Sequence, residues 1–418
     1  MKLLSLTLKS LRQRKAGVAL TVFTVALSVF LLLGVERVRT DARQGFASTV
    51  SGTDLLVGAR SGPVTLLLYS IFHVGEATNN ITWKSYQAIR AMPEVAWTVP
   101  LSLGDSHRGF RVTGTTADFF THYHYGRGNA LAFTSGKPFA DLYDAVIGAE
   151  VARQLHYKVG DRIVLSHGLG GPNLASHADK PFRISGVVAP TGTPVDATIA
   201  VSLEAIEAIH VDWRSGMRLP GLEASADEAR RMDLTPKAIT AALVGLHSRL
   251  SAFAVQGAIN DYDEEPLLAV LPGVALGELW HLIGTAENAL RVVSGMVLLV
   301  GMSGMLTALL GMLGERRREM AVLRALGAST RTVFSLLVME STLLTIAGML
   351  AGVILLDATT ALAHDYLLAV AGLVIDETPA PGEGVLLLVV LALGSLAGCI
   401  PGWVAYRRSL ADGLQVRL

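Results

Sequence analysis

The chain has 418 residues, of which 51% are apolar and 17% charged, and its mean hydropathy is +0.46. These values exclude a wholly soluble globular protein and are typical of a membrane protein with a sizeable water-exposed portion. The formal net charge is zero, and no nucleic-acid partner is predicted. Because Cys399 is the single cysteine, no disulfide can form within the chain.

The first 35 residues predict a surface helix followed by a membrane-spanning helix. In residues 1–15, Leu4, Leu8 and Leu11 share one helical face beside five Lys/Arg residues, which is typical of an amphipathic helix lying on the inner membrane surface. Residues 16–35 carry no charge and are long enough to cross the ~30 Å hydrocarbon core. No small-x-small cleavage site follows, so we interpret this segment as a retained transmembrane helix rather than a signal peptide.

Residues 36–287 predict a mixed α/β domain on the outer side of the membrane. Short apolar and β-branched runs alternate there with Gly, Pro and Asp turns, and helical patterns interrupt them. We expect a β-rich insert at about 110–190. The predicted strands are Phe110–Thr113, Arg162–Ser166, Phe182–Val188 and Ile239–Leu246, and the predicted helices are Trp83–Arg90, Ala149–Leu155 and Leu203–Ile209.

Three further apolar runs predict transmembrane helices at 292–313, 332–356 and 384–406. We expect the residues just before 292 to continue the second helix outward as a stalk. The predicted fold class is an integral membrane α-helical protein with four transmembrane helices. A large mixed α/β extracytoplasmic domain is predicted between helices 1 and 2.

Basic residues cluster in three short segments that flank the predicted spans. Residues 1–15, 314–331 and 407–418 contain five, five and three Lys/Arg residues, whereas 357–383 contains five acids and no Lys or Arg. By the positive-inside rule, both termini and the 314–331 segment are predicted to be cytoplasmic.

The segment 314–331 predicts a helical tip between the second and third spans. Its residues are good helix formers, Gly327 can take a positive φ just past the last turn, and Ser329 or Thr330 can cap the next helix. The tip is charged at its start and apolar on one side, which is the shape expected of a docking element; an ordinary basic loop is the alternative. The candidate docking residues are Glu315, Arg316, Arg317, Arg318, Glu319, Met320, Leu323, Arg324, Leu326 and Gly327.

The run ERRREMAVLRALGAS, followed by an acid at Glu340, resembles the signature of the FtsX/MacB/LolC permease family, the type VII ABC transporters. Two pieces of the outer segment, Val146–Leu165 and Phe182–Ile206, resemble the periplasmic domain of the same family. The resemblance implies a MacB-like periplasmic domain at 36–287 and an FtsX-like permease domain at 288–418. It also implies that the tip, as a coupling loop at 314–331, docks onto a cytoplasmic ATPase.

The same resemblance implies an assembly and a location. Two permease chains, identical or different, would assemble with two ATPase subunits in the bacterial inner membrane, in contact with lipid and with a periplasmic partner. ATP and Mg²⁺ would bind the ATPase, and no cofactor is expected on this chain. The outer domains would move for export or extraction of an envelope substrate, which stays open between lipoprotein, peptide, small toxic compound and metal-related cargo. A signalling subunit that activates an envelope enzyme is the alternative function.

No catalytic motif contradicts this interpretation. The sequence has no phosphate-binding G-x-x-x-x-G-K-[ST], no G-x-G-x-x-G, no H-E-x-x-H, no G-x-S-x-G and no C-x-x-C. We therefore predict a non-catalytic permease subunit whose ATPase is a separate chain.

Two features of the predicted spans point to helix packing and to an intramembrane polar site. Gly394, Gly398 and Gly402 recur every four residues, and such a stripe lets a neighbouring helix approach closely. Glu340 is the one charge inside a span. A proton or ion site is one interpretation, and a structural hydrogen bond to Ser303 or Thr307, which the family pattern favours, is the other.

All eleven histidines fall in the two outer segments. No pair has the i, i+4 spacing of helical metal ligands, so no metal site is predicted. A metal site drawn from these histidines remains the alternative. The histidines considered for it are His122, His124, His156, His167 and His177.

Overall fold

The computed structural model describes residues 7, 11 and 14–412, apart from 50, 127, 169–176, 215–216, 219–223, 326, 372–379 and 381. These residues form two compact units. The helical unit falls within Met1–Ala42, Gly284–Leu368 and Val374–Leu418, and the globular unit is formed mainly by Arg43–Ile283. The predicted amphipathic helix at 1–15 lies almost entirely outside the described residues.

Short strands and helices alternate in the globular unit, and much longer helices flank it in sequence. The helices are α1 Lys15–Ser48, α2 Pro63–Ser70, α3 Trp83–Arg90, α4 Asp118–His122, α5 Ala149–Leu155, α6 Leu203–His210, α7 Ala226–Ala229, α8 Ala252–Asn260, α9 Pro272–Ala325, α10 Thr330–Ala371 and α11 Glu383–Asp412. The strands are β1 Leu55–Ala59, β2 Ile81–Thr82, β3 Val95–His107, β4 Phe110–Thr115, β5 His124–Tyr125, β6 Asn129–Ala130, β7 Phe133–Gly136, β8 Asp144–Ile147, β9 Arg162–Ile163, β10 Ser166–His167, β11 Phe182–Val188, β12 Thr198–Ser202, β13 Trp213–Arg214, β14 Met217–Arg218, β15 Ala238–Ile239, β16 Ala241–Leu246 and β17 Leu267–Val270.

Within the part of the chain that the structure describes, four helices are long and apolar enough to cross a membrane, which is the number predicted. The qualifying segments are Lys15–Asp41, Pro272–Gly311, Thr330–Ala363 and Glu383–Ala405. Their inward faces form one apolar core, while many large apolar side chains on these helices are exposed, among them Leu20, Phe23, Leu350 and Leu388. An exposed apolar surface of this kind is expected where lipid replaces water.

The helical core contains side chains from all four long helices. Its central members are Val25, Val29 and Leu33 of α1, Leu298, Met302, Met305 and Leu309 of α9, Leu344 and Leu356 of α10, and Val390 of α11.

The globular unit is organised around an 11-stranded mixed sheet. Its strand order is β17-β1-β16-β3-β4-β12-β8-β11-β7, with β10 paired to β3 and β9 paired to β11. The pairs β4/β12 and β8/β11 are parallel, and the other pairs are antiparallel. The 13-residue strand β3 joins the two halves, because it pairs with β16 over its first part and with β4 and β10 over its last part.

The three helices predicted in this unit are found; of the four predicted strands, Phe182–Val188 is found as predicted and Phe110–Thr113 falls within β4. Trp83–Arg90 and Ala149–Leu155 are confirmed, and α6 ends one residue beyond the predicted Ile209. Side-chain hydroxyls explain two of the starts: Thr82 accepts a hydrogen bond from the backbone N–H of Ser85, and Ser202 accepts one from Ala205. The predicted strands Arg162–Ser166 and Ile239–Leu246 are each broken into two.

The limits predicted for the β-rich insert do not coincide with a break in the sheet. Strands within 110–190 pair with β12, which begins at Thr198, and with β3, which begins at Val95. Strand pairing joins residues far apart in sequence, so composition could not locate this continuity.

The second and third long helices extend beyond the spans predicted for them. The helix predicted at 292–313 begins at Pro272, and the one predicted at 332–356 continues to Ala371. No proline occurs in 292–325 or in 330–371, so nothing in those segments forces the helix to end.

Candidate functional site

The predicted docking segment forms the end of α9 instead of a separate short helix. The helix continues through Ala325, and Gly327 then has a φ of +90°, as the sequence predicts. The hydroxyl of Ser329 accepts a hydrogen bond from the N–H of Thr332 at 3.3 Å, which caps α10. A tight helical hairpin therefore joins α9 to α10.

The described part of the docking segment is solvent-exposed. Val322 is 54% exposed, and Ala325 and Gly327 are also exposed. Because residues up to Ala325 are helical, Met320 and Leu323 fall on one side of the helix by its 3.6-residue period. The side chains of Glu315, Arg316, Arg317, Arg318, Glu319, Met320, Leu323, Arg324 and Leu326 lie outside the described residues, so their roles stay predictions.

The glycine stripe of α11 lies against α10. A Cβ at Gly394 would overlap the side chain of Thr345, and one at Gly398 would overlap Ser341 and come within 3.2 Å of the Cα of Val338. A Cβ at Gly402 would lie 2.8 Å from the Phe334 ring. The missing side chains therefore allow the two helices to pack closely along three turns.

Gly398→Ala should destabilise the helical unit, because the added methyl group meets Ser341 and the backbone of α10. Overpacking of this kind costs about 1–3 kcal/mol. The matched control is Gly384→Ala in the same helix, where nothing lies within 4 Å of the added carbon. Thermal unfolding in nanodiscs should show a lower Tm for Gly398→Ala only; equal Tm values for both variants would contradict the close packing.

Glu340 is buried at 1% exposure within α10. Ser303 and Thr307, the partners considered from the sequence, donate their hydroxyl protons to carbonyl groups of their own helix, at Leu299 and Ser303. These two hydroxyl groups therefore do not donate hydrogen bonds to Glu340. The choice between a structural and an ionic role for this carboxyl group stays a prediction.

A buried ion-pair cluster joins three of the long helices, and the sequence analysis missed it. Arg37 of α1 is 2% exposed; its Nε and Nη2 donate to the carboxylate of Glu383 in α11 at 2.9 and 3.1 Å. Its Nη1 donates to Asp357 of α10 at 2.8 Å. Glu383 also accepts from the backbone N–H of Ala380 at 3.0 Å. Charge-assisted bonds with this bidentate geometry are among the strongest in proteins.

A second ion-pair group lies at the same end of α1. Arg39 pairs with Glu36 and, at 3.6 Å, with Glu287 of α9, while Arg291 lies 3.9 Å from Glu36. For the Arg37 cluster, the sequence offered one signal: an excess of acids at 357–383 and a basic residue, Arg37, just past the first predicted span. From the sequence alone, this charge pattern indicates only which side of the membrane each loop lies on.

The candidate histidines of the globular unit do not converge as one group. The His122 ring stacks on Trp97 with centroids 4.7 Å apart, and the Nδ1 of His124 lies 2.8 Å from the His122 carbonyl. His156 ends α5 with a φ of +56°. His167 and His177 instead lie beside His210, a residue that the sequence analysis did not consider.

Family comparisons cover most of the chain. Residues 18–242 match the MacB-like periplasmic core domain, and residues 291–411 match the FtsX-like permease C-terminal domain. A macrolide export ATP-binding/permease protein MacB from Nitrobacter winogradskyi is 24% identical over 427 aligned positions. The alignment covers 93% of this chain and 60% of that protein, so the chain spans less than two thirds of its relative.

Two solved structures align with part of the chain. The periplasmic region of MacB from Actinobacillus actinomycetemcomitans aligns with 9% identity and a TM-score of 0.34, covering 55% of this chain and 94% of that one. The extracellular domain of the noncanonic ABC-type transporter YknZ from Gram-positive bacteria aligns with 10% identity and a TM-score of 0.31, covering 52% and 99%.

Proposed function

Because the chain belongs to the FtsX/MacB-type family of ABC transporter permeases, we propose that it couples ATP hydrolysis by a separate cytoplasmic subunit to movement of its outer domain. The movement would serve export or extraction of an envelope substrate. The globular unit is that outer domain, inserted between the first and second transmembrane helices on the periplasmic side of the bacterial inner membrane.

The observation that carries this proposal is the continuity of α9. This helix has 54 residues, which at 1.5 Å per residue is about 80 Å long. Near its start, Ala275, Leu276 and Leu279 are buried in the core of the globular unit. Further along, Met302 and Met305 are buried in the helical core. One helix therefore contributes residues to both cores and ends in the docking segment.

The helix α9 would transmit movement from its cytoplasmic end to the outer domain. A displacement imposed on its cytoplasmic end by an ATPase moves the anchored residues with it, since an α-helix is stiff along its axis. The residues of α9 just before 292 would act as the predicted stalk. The chain contributes force transmission, and the ATPase contributes the chemical step with its own ATP and Mg²⁺.

Two observations support a separate ATPase as the partner of this chain. The chain has no phosphate-binding motif, while the printed name of the Nitrobacter relative combines an ATP-binding part with a permease part. We assign the corresponding ATPase to a separate chain and the full assembly to two permease chains. The test is retention of ATPase activity by the protein purified from its native membranes, with Leu323→Asp as the variant expected to lose it.

The sidedness of the chain can be tested by cysteine labelling in intact cells. In a Cys399→Ala background, Leu250→Cys should react with an impermeant maleimide, because Leu250 is 94% exposed in the outer domain. Cysteines at Ser10 and Ser409 should react only after permeabilisation, since both lie in basic cytoplasmic flanks. Labelling of either serine position in intact cells would contradict the topology.

A further inference from the structure

Three potential metal ligands converge in the globular unit. Asp105 lies in β3 and His167 in β10, directly opposite each other in the antiparallel register, and His210 is the last residue of α6. The Nδ1 of His167 is 3.1 Å from Oδ1 of Asp105 and 3.3 Å from Nε2 of His210. The Nε2 of His210 is 3.7 Å from the same Asp105 oxygen.

A β-bulge and backbone hydrogen bonds bring Asp105 and His167 together. The pairing of β3 with β4 shifts by one residue between Leu103 and Ser106, which is a β-bulge at Gly104 and Asp105. Bulges re-aim a side chain and are common next to functional sites. The hydroxyl of Ser106 donates to the carbonyl of Gly168, and the N–H of Gly168 donates to Gly104 at 2.9 Å. Both bonds hold Gly168, the residue after β10, against the residues of β3 that flank Asp105.

The tautomer of His210 leaves its ligand atom facing the cluster. Its Nδ1 lies 2.7 Å from the carbonyl oxygen of Ile206, and since a carbonyl can only accept, Nδ1 carries the proton. In the neutral ring, Nε2 then holds the lone pair that faces Asp105 and His167. Metal-binding histidines are usually oriented in this way, with the second ring nitrogen donating to a carbonyl or carboxylate.

The spacing matches tetrahedral coordination. Ligands at 2.0–2.2 Å from a tetrahedral zinc ion are about 3.3 Å from one another, and the three separations here are 3.1, 3.3 and 3.7 Å. We propose that Asp105, His167 and His210 bind a divalent transition metal of the zinc class, a site that lies apart from the coupling function. Two imidazoles and one carboxylate are a donor set that zinc accepts readily.

The surroundings of the cluster suit a metal ion that has three protein ligands and a fourth coordination position open to solvent. Asp105 is 4% exposed at its side chain, whereas His167 is 49% and His210 24% exposed, so the fourth position faces solvent. His177 lies beside the cluster at 1% exposure, with its ring centroid 5.0 Å from that of His210.

One buried cation lies close in sequence to His177, and it is already neutralised. Lys180 is 1% exposed and its Nζ is 2.9 Å from Asp212, itself buried.

The competing explanation for the cluster is a set of hydrogen bonds around a proton on His167, whose pKa is raised by Asp105. Metal titration separates the two, because a proton-bound cluster gives no stoichiometric saturation.

The experiment uses the full chain in nanodiscs, stripped with a chelator and titrated with Zn²⁺ by calorimetry and with Co²⁺ by visible absorption. We expect one equivalent of either ion and a tetrahedral Co²⁺ spectrum. His167→Ala and His210→Ala should each weaken binding about 100-fold or more, because loss of a ligand should exceed the 10–100-fold cost of losing an outer-shell partner. His247→Ala, an exposed histidine away from the cluster, is the matched control and should bind as the wild type does.

Thermal unfolding without metal would show whether each variant folds. Because the His167 side chain is half-exposed, His167→Ala should disturb the fold least. Asp105→Asn, which keeps the side-chain shape and removes the charge, should also lose tight binding. Absence of saturable binding by the wild type would overturn the proposal. Equal weakening by His247→Ala would do the same, since it indicates adventitious surface binding. Neither result would affect ATPase retention, so the proposed coupling function is judged separately.

Discussion

Leu323→Asp should uncouple the protein from its ATPase while leaving its insertion and folding intact. Met320, Leu323 and Leu326 lie along one side of the predicted docking segment, so this side would supply the apolar anchor. Burying a leucine is worth about 1.5–3 kcal/mol, which corresponds to a loss of affinity of about 10- to 150-fold. The buried aspartate adds a further desolvation cost.

The measurement is ATP hydrolysis per mole of permease after affinity purification from native membranes. Ala325→Asp is the matched control, because Ala325 is exposed and lies about 200° around the helix from Leu323. Wild type and Ala325→Asp should retain ATPase activity, and Leu323→Asp should not. If Leu323→Asp keeps its ATPase as well as the control does, the segment is an ordinary basic loop.

Arg37→Met should be the most destabilising single substitution in the helical unit. It leaves the Glu383 carboxylate, 5% exposed, without its bidentate partner. Removing one member of a buried ion pair typically costs about 3–5 kcal/mol, because the remaining charge is uncompensated. The matched control is Arg291→Met: its side chain is 50% exposed and 3.9 Å from Glu36, so its loss should cost about 0–1 kcal/mol.

Unfolding of the three proteins in nanodiscs, followed by tryptophan fluorescence, measures this difference. The double variant Arg37→Met/Glu383→Gln should recover part of the lost stability, since it removes the isolated charge and retains a hydrogen-bond acceptor for Ala380. Equal stability of Arg37→Met and Arg291→Met would show that the cluster contributes nothing beyond an exposed pair.

The long apolar helices were predictable from the sequence because their signal is local. A run of about 20 uncharged residues and its basic flanks are visible without knowing what the helix packs against. The turn at Gly327 and the cap at Ser329 were predictable for the same reason, since each depends on one residue type at one position. The extension of α10 from 356 to Ala371 was not predictable, because no local signal ends the helix at 356.

The ion-pair and histidine clusters depend on contacts between distant residues. Arg37 and Glu383 are 346 positions apart, and Asp105 and His167 are 62 apart. Asp105 reaches its neighbours through a bulge and a strand register, and neither feature leaves a mark in composition. His210 could have been noticed as the histidine directly after the predicted helix Leu203–Ile209, but nothing in the sequence pairs it with Asp105.

Movement of the outer domain relative to the membrane helices, driven by ATP hydrolysis on the partner subunit, is tested most directly by an intramolecular distance. Spin labels at Leu250→Cys and Leu362→Cys, both highly exposed, report from the globular and the helical unit of one chain in a Cys399→Ala background. Pulsed electron resonance would be recorded in nanodiscs in the presence of the ATPase, with the labelled chain diluted by unlabelled chain. The distance distribution should shift on adding ATP in the wild type and stay unchanged in Leu323→Asp. An unchanged distribution in a wild-type complex that retains and turns over its ATPase would contradict the account.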